Sequence, residues 1–317
     1  MKINLTARVL ACMALAGGSL AACGTDSGEG GGSSEDSYTI GFVNSDTLDF
    51  HTCLEEGLTK AADGASVEVI SANSARDPGK EQSNIEDMIV RQVDAIILQT
   101  VNIDSLTGAV AQANAAGIPI FLTSVSGPDK TKILGAELSD VFHNGELAAQ
   151  WLEEDAAGDD VDAAIIAGAP GAASDLFVKG FREALPDSVD VVFEQPGMFQ
   201  RAKAQEVAEN LLQSNPDVSY VFVPNEEMAF GAATAFANAG RDDIKIIANG
   251  GTPEGLEAVE SGQFAMLVAS SPADLGKKAL ETTVDQLEAD APEPAIGEIP
   301  LTVVTKDNVA DAPSYCG

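Results

Sequence analysis

The sequence predicts an α/β protein whose parallel sheets are divided between two similar, doubly wound lobes. Three observations support this prediction. Apolar, strand-like runs alternate with amphipathic helices from residue 38 onward, and the roughly ten runs are many for one open sheet. The final helix and strand belong to no complete unit. The chain has 317 residues, 45% of them hydrophobic, which is enough to bury a large core.

The chain begins with a pattern typical of a targeting segment. Residues 1–22 carry Lys2 and Arg8, then an apolar stretch too short to span a bilayer, and end in small residues before Cys23. This end resembles the bacterial lipoprotein box, in which the cysteine is lipidated and becomes the first mature residue. The alternative is an ordinary cleaved signal peptide with a chance cysteine. Residues 23–37 are rich in Gly, Ser and acids and predict a flexible tether with a reach of roughly 20 Å.

The strand and helix pattern follows the tether directly. Strand-like runs lie at 38–43, 66–71, 95–99, 118–123, 132–137, 162–167, 189–194, 218–223, 244–249 and 264–270. Amphipathic helices such as 79–92 and 202–214 separate them. Because crossovers between such strands are right-handed, we expect parallel sheets with helices on both faces.

Residues 218–240 form the clearest single unit of strand, polar turn and helix. Asn225 follows the strand and can cap a helix that carries Glu226 and Glu227 in its first turn and ends at Gly240. This places the Asn225 amide at the carboxyl end of a strand, where open α/β sheets bind ligands. The alternative is that Asn225 only caps its helix.

The end of the chain carries a helix over 272–290 and a strand-like run over 298–305. Each of these elements would become part of a complete lobe if the chain returned to the first lobe and then crossed again.

From residue 38 to about residue 307, the chain resembles the ribose-type solute-binding proteins of bacterial ABC sugar importers, which have the periplasmic binding protein type 1 fold. The segments that carry the resemblance lie, in order, at 95–100, 116–121, 138–145, 178–185, 210–232, 249–272 and 303–309. The same lobes occur in sugar-responsive transcription repressors, which have a DNA-binding headpiece where this chain has a lipobox and tether. That difference excludes a repressor.

The resemblance implies two Rossmann-like lobes joined by three hinge crossovers. Lobe one would contain 38–139 plus 271–298, and lobe two 140–270 plus 299–317. The hinges would lie near Ser139, Ser270 to Ser271 and Glu298 to Pro300. A ligand that contacts both lobes would stabilise the closed form, which a membrane permease would recognise.

The resemblance also implies a ligand set within the cleft. Phe50 matches one of two aromatics that sandwich the sugar ring, His51 replaces the other, Phe199 matches the second lobe's aromatic, and Asn225 matches an amide that takes sugar hydroxyls. Aromatic faces with polar groups around them are suited to sugars. The full predicted set is Ser45, Asp49, Phe50, His51, Ser124, Asp175, Phe199, Asn225, Asn249 and Ser270.

The family's charged anchors are absent at the matching positions. Residues 124–125 are Ser-Val where the family has Asp-Arg, and Asp175 stands where the family has an arginine. Gly250, which is preceded by Asn249, replaces an aspartate, and Ser270 replaces a glutamine. These changes remove the contacts that fix an aldopyranose. We therefore expect a polyol, a furanose or another polyhydroxylated compound rather than ribose. Asp175 alternatively faces a cationic group or is a solvated helix N-cap.

Other functions find little support in the sequence. A Gly-rich turn at 168–174 is a weak phosphate signal without the spacing of nucleotide motifs, and a net charge of −33 disfavours anionic ligands, nucleic acid and anionic lipid. The two histidines and the cysteine spacing predict no catalytic triad, metal site or cofactor. We expect a protein that is not an enzyme.

Two cysteines remain after Cys12 in the signal segment and Cys23 are set aside. In an oxidising exterior, Cys53 and Cys316 predict a disulfide that pins the C-terminal tail to the hinge side of lobe one. The alternative is two separate buried thiols.

The function predicted from the sequence is a monomeric, lipid-anchored solute receptor on the outer side of the cell membrane. It would deliver a sugar or sugar alcohol to an ABC permease and its ATPase. The alternative is a receptor whose closed form signals to a sensor kinase or chemoreceptor, and an enzyme that uses the same cleft is a distant third.

Overall fold

Two six-stranded sheets, each covered by helices, make up the part of the chain that the computed structural model describes, residues 37–317 except 126, 128 and 291. The predicted signal peptide, Cys23 and the tether up to residue 36 lie outside the described residues. Among those described, no helix combines the length and the apolar character needed to cross a bilayer. The two sheets and their helices form the two lobes that the alternating pattern predicts.

The first sheet has the strand order β11-β5-β4-β3-β1-β2, and all its neighbouring strands are parallel. Its strands fall within the two segments predicted for lobe one. They are β1 (Thr39–Asn44), β2 (Glu68–Asn73), β3 (Ala95–Leu98), β4 (Ile120–Ser124), β5 (Gly135–Leu138) and β11 (Ala295–Glu298).

The second sheet has the order β12-β10-β9-β8-β6-β7, in which β12 is antiparallel to β10 and the other pairs are parallel. Its strands fall within the segments predicted for lobe two. They are β6 (Val161–Ala167), β7 (Val189–Pro196), β8 (Tyr220–Val223), β9 (Lys245–Gly250), β10 (Met266–Ala269) and β12 (Thr302–Val304).

Helices cover both faces of each sheet, so central strands are apolar on both sides. In β3, Ile96 and Leu98 pack into one core and Ala95 and Ile97 into another. The helices are α1 (Asp49–Asp63), α2 (Pro78–Arg91), α3 (Ile103–Ala115), α4 (Val141–Ala156), α5 (Ala172–Ala184), α6 (Arg201–Ser214), α7 (Glu226–Ala239), α8 (Pro253–Ser261) and α9 (Pro272–Glu288).

The chain crosses between the sheets at three places. β5 leads through 139–140 to α4, β10 leads through 270–271 to α9, and β11 leads through 299–301 to β12. The prediction of one strand over 298–305 is wrong, because that run contains the end of β11, the third crossover and β12. Pro300 lies at the break, where its missing N–H cannot serve a sheet ladder.

The end of the chain connects the two lobes a fourth time. After β12, Val309 and Ala312 pack against the core of the second lobe. Cys316 then forms a disulfide with Cys53 of α1, with their Cα atoms 4.8 Å apart. The two cysteines predicted to pair are therefore joined, and the disulfide ties the last residues of the chain to lobe one, as predicted.

Candidate functional site

A cavity of about 460 Å³ lies between the two lobes, at the carboxyl ends of their parallel strands. This edge of an α/β sheet is where loops gather polar side chains, and the volume suits a small organic ligand. Nine of the ten predicted ligand residues line the cavity: Ser45, Asp49, Phe50, His51, Ser124, Phe199, Asn225, Asn249 and Ser270.

Asp175 does not lie in the cavity. It is exposed on the outer side of α5, in a surface depression that it shares with Lys179 and Arg182. It is not the N-cap either, because that position belongs to Gly171. The buried neighbouring residue, Ser174, lines the cavity instead.

Phe199 is the aromatic side chain that the second lobe contributes to the cavity. Its ring lies over Gly168, where a Cβ atom would be 2.1 Å from Cζ of the ring, so only glycine leaves room for it. Met198 and Phe199 both have positive φ angles, 61° and 55°, in the left-handed region that non-glycine residues rarely adopt. Such backbone strain is common at ligand sites.

Phe50 and His51 form the facing wall at the start of α1. Their rings meet edge to face with centroids 5.3 Å apart. The Ser45 N–H donates to Asn44 Oδ1 at 3.0 Å, which makes this oxygen an acceptor, and His51 Nδ1 lies 3.1 Å from the same oxygen. Nδ1 must therefore carry the ring proton. This leaves Nε2 as an acceptor for a ligand hydroxyl.

The protonation of His51 is set chiefly by its burial. Burial lowers the pKa of His51 to about 4, the charge of Asp46 opposes this shift, and Arg76 adds to it. The ring is consequently neutral at pH 7 and keeps the Nε2 lone pair.

Asn225 both caps its helix and faces the cavity. Its Oδ1 accepts the Met228 N–H at 3.0 Å, as the sequence predicts for an N-cap. Among the described residues, its amide NH₂ group has no hydrogen-bond partner, so that donor remains for a ligand. The two roles proposed for Asn225 are thus compatible.

Gln99 and Ser124 give the first lobe a similar neutral polar wall. Ser124 Oγ donates to Gln99 Oε1 at 3.0 Å, and Thr123 Oγ1 donates to the same oxygen. The Gln99 and Ser124 side chains, which line the cavity, are nearly buried, each residue with 9% exposure. Because these bonds fix Oε1 as an acceptor, the amide NH₂ group of Gln99 is oriented as a donor.

Glu226 is a buried carboxylate in the cavity wall that was not among the predicted ligand residues. Its Oε1 accepts the N–H groups of Gly251 at 2.6 Å and Thr252 at 3.1 Å, and Oε2 accepts the Thr252 hydroxyl. Burial raises the pKa of Glu226, whereas these hydrogen bonds lower it. A Cβ atom at Gly250 would lie 2.3 Å from the carboxylate, and one at Gly255 would lie 2.0 Å from it. The two glycines therefore make room for Glu226.

Arg76 was also missed, and it brings an arginine into the cavity although the family's arginines are absent at the matching positions. Its Nε binds Asp46, and its Nη1 donates to the Met198 carbonyl of the other lobe at 3.2 Å. Arg76 follows β2 in a polar loop, and the sequence shows no signal that it reaches the cleft. It forms a direct contact between the two lobes at the cavity.

Metal and phosphate chemistry gain no support from the described residues. Within them, no group of three or more His, Cys, Asp or Glu side chains could hold a metal ion. The Gly-rich turn at 168–174 does contribute Ala169, Pro170 and Gly171 to the wall, but the cavity also carries Asp46, Asp49 and Glu226.

Comparisons with known proteins agree with this geometry. A family model described as "Periplasmic binding protein domain" matches residues 40–291. The chain is 32% identical over 271 residues to the ribose import binding protein RbsB of Bacillus subtilis (strain 168), covering 85% of this chain and 88% of that protein. It is 29% identical to a xylitol-binding protein of Mycolicibacterium smegmatis, covering 83% of this chain and 75% of that protein.

The solved structures include the periplasmic binding component of the arabinose ABC transporter from Shewanella sp. ANA-3, bound to α- and β-L-arabinofuranose. That structure has a TM-score of 0.80 and 26% identity to this chain, and the match covers 86% of this chain and 93% of the other.

Proposed function

Because the chain belongs to the periplasmic binding protein family, we propose that it is an extracytoplasmic receptor that captures a small neutral polyhydroxylated ligand and delivers it to an ABC import permease. The observation that carries this proposal is the cavity between two lobes whose walls combine Phe50 and Phe199 with neutral donors and acceptors. Aromatic faces pack against sugar C–H groups, and the polar groups bind the hydroxyls.

The charges in the wall support an uncharged ligand. Arg76 is neutralised by Asp46, and the wall residues Glu227 and Glu254 lie 3.1 Å and 3.5 Å from Arg201, which is outside the cavity lining. Glu226 is held by two backbone N–H groups and a hydroxyl. An anionic ligand would meet this excess of carboxylates, and a cationic one would find most of them already engaged.

The polar groups favour a polyol or a furanose over a pyranose held by arginine. Ser124, Asn225, Asn249 and Gln99 offer single hydrogen bonds that suit hydroxyls in several arrangements. One relative is named for ribose and another for xylitol, which is an open-chain polyol. The similar solved structure is bound to L-arabinofuranose, which is a furanose. We therefore propose that the ligand is a pentitol, a pentofuranose or a compound of similar size.

We propose that the lobes, 38–139 plus 271–298 and 140–270 plus 299–317, close over the ligand by rotation at the three crossovers. The hydrogen bond from Arg76 to the Met198 carbonyl spans the two lobes and would be available only when they are close. We also propose that the protein acts as a monomer, since the two lobes that form the cavity walls belong to one chain.

We also propose that Cys23 is lipidated and that residues 23–37 tether the protein to the outer side of the membrane. The support is the small-residue sequence before Cys23 and the Gly- and Ser-rich segment after it. Cys23→Ser should move the protein from the membrane fraction to the soluble fraction. An unchanged membrane fraction would contradict lipidation at Cys23.

The binding function is tested by thermal shift and calorimetry on the purified protein with D-ribose, L-arabinose, xylitol, erythritol, myo-inositol and D-glucose. A dissociation constant near micromolar corresponds to about −8 kcal/mol and allows both capture and release. A ligand at 100 times its dissociation constant stabilises the protein by about 2.7 kcal/mol, which should raise the melting temperature by roughly 5 °C. If none of these compounds shifts the melting temperature, the proposal fails for this ligand class.

A further inference from the structure

The last residues of the chain form a segment that is fastened to both lobes. This segment, residues 313–317, is called here the C-terminal strap. It leaves Ala312, which packs against the core of lobe two, and Cys316 is bonded to Cys53 in α1 of lobe one. The Ala273 N–H of α9 also donates to the Tyr315 carbonyl at 3.3 Å. The final residues of a chain are usually poorly ordered unless they are tied down, and these are tied by a covalent bond.

The strap carries Tyr315 into the wall of the ligand cavity. Cδ2 of its ring lies 3.6 Å from where a Cβ atom would stand on Gly251, in the loop after β9 of lobe two. Gly251 has a φ of 123°, a backbone conformation that favours glycine. The ring therefore lies between lobe two, at Gly251, and lobe one, to which the strap is bonded.

The hydroxyl of Tyr315 has no hydrogen-bond partner among the described residues, although the ring is half-buried. Burial, followed by the charges of Glu226 and Asp49, raises the pKa of Tyr315, so the group remains a neutral phenol. Asp49 and Glu226 are the first residues of α1 and α7, one from each lobe. A neutral hydroxyl at this position can both donate to and accept from a ligand hydroxyl.

We propose that Tyr315 is a ligand-contacting residue of this cavity and that the Cys53–Cys316 disulfide holds it in place. The proposal rests on the binding function proposed above and adds a contact from outside the two sheets. A phenol ring covers sugar C–H groups and its hydroxyl binds at their edge. Because the disulfide fixes the strap before the ligand arrives, little conformational entropy is lost when Tyr315 contacts the ligand. Variants that free the strap should thus weaken binding even though Tyr315 is still present.

The test measures dissociation constants by calorimetry for L-arabinose, xylitol, D-ribose and myo-inositol. The proteins are the wild type, Tyr315→Phe, Tyr315→Ala and the double variant Cys53→Ser/Cys316→Ser. For whichever compound binds the wild type, we expect about fivefold weaker binding for Tyr315→Phe, more than tenfold for Tyr315→Ala, and at least threefold for the double serine variant. Tyr38→Phe is the matched control, because Tyr38 packs against the core of lobe one and does not line the cavity.

The outcomes separate this proposal from the binding function. If the wild type binds and both Tyr315 variants bind as tightly as Tyr38→Phe, Tyr315 is not a ligand contact. Equal binding by the wild type and the double serine variant overturns the role of the disulfide. If the wild type binds none of the four compounds, the binding function proposed for this cavity is overturned for these ligands and this proposal with it. Tyr315→Phe preserves the ring, so its result does not depend on whether Tyr315→Ala folds.

Discussion

Gly168→Ala should weaken ligand binding without removing any side chain from the site. The added Cβ atom would stand 2.1, 2.5 and 2.6 Å from three atoms of the Phe199 ring. Carbon atoms in contact prefer at least about 3.5 Å, so the ring must move by about 1.4 Å or rotate away from the cavity wall. A displaced ring loses its packing on the ligand. We expect a loss of about 1–2 kcal/mol, which is roughly a five- to thirtyfold rise in the dissociation constant.

The measurement is calorimetry with the strongest ligand found for the wild type, together with the free energy of unfolding in urea. Gly168 does not have a positive φ, so the alanine backbone itself is not strained. Phe199→Ala removes the ring outright and sets the upper limit for the loss. We expect Gly168→Ala to fall between the wild type and Phe199→Ala.

Gly108→Ala is the matched control for Gly168→Ala. Gly108 lies in α3, and a Cβ atom there would meet no heavy atom within 4 Å. Alanine in a helix interior should stabilise the protein by about 0.5–1 kcal/mol and leave binding unchanged. If Gly168→Ala binds as tightly as Gly108→Ala, Phe199 does not pack on the ligand and the assigned aromatic wall is wrong.

Two further predictions concern buried ionisable groups. Glu226→Ala should lower the free energy of unfolding in urea by at least about 2 kcal/mol, because it leaves the Gly251 and Thr252 N–H groups without their acceptor. Glu227→Ala removes an exposed ion pair and should lower it by less than about 1 kcal/mol. Similar losses for the two variants would contradict the buried role of Glu226. The pKa of His51 is lower in the folded protein than in the unfolded chain, so His51 should contribute stability above pH 6.5 that is lost as the pH falls toward about 4. Ligand affinity should stay constant from pH 8 to 6, because the ring stays neutral over that range. The difference in melting temperature between the wild type and His51→Gln, measured from pH 8 to 4, checks this sign, and a difference that grows with falling pH would contradict it.

The sheets were predictable because their central strands are apolar on both faces. The β3 and β8 strands lie within the runs at 95–99 and 218–223, and the pattern needs no information from distant residues. The β11 strand was missed because Ala295–Glu298 is a short, partly exposed edge strand that contains a glycine. Such a strand is specified mainly by its pairing with β5.

The site was only partly predictable, because several of its members depend on contacts that are distant in sequence. Asp175 was assigned by its matching position, but one residue along a helix turns the side chain by about 100°, and Ser174 occupies the cavity face instead. Arg76 reaches the cleft from a loop in which Ala75 and Arg76 have positive φ angles of 50° and 63°. Neither residue type indicates such a backbone. Tyr315 is one residue from Cys316, so the predicted disulfide was the one available signal that it approaches lobe one.

Gly250 and Glu226 show that the cavity wall can keep a carboxylate even where the family's acidic residue is replaced. The resemblance places an acid at position 250, and its replacement by glycine suggested that the carboxylate was lost. In the structure, a Cβ atom on Gly250 would overlap the Glu226 carboxylate, and the two cannot occupy the same space. The Glu226 carboxylate, in the first turn of α7, can therefore lie in the cavity wall only because residue 250 is a glycine. A side chain added at 250 would have to displace that group, so the two positions should be tested as a pair, since contacting residues are not expected to be additive.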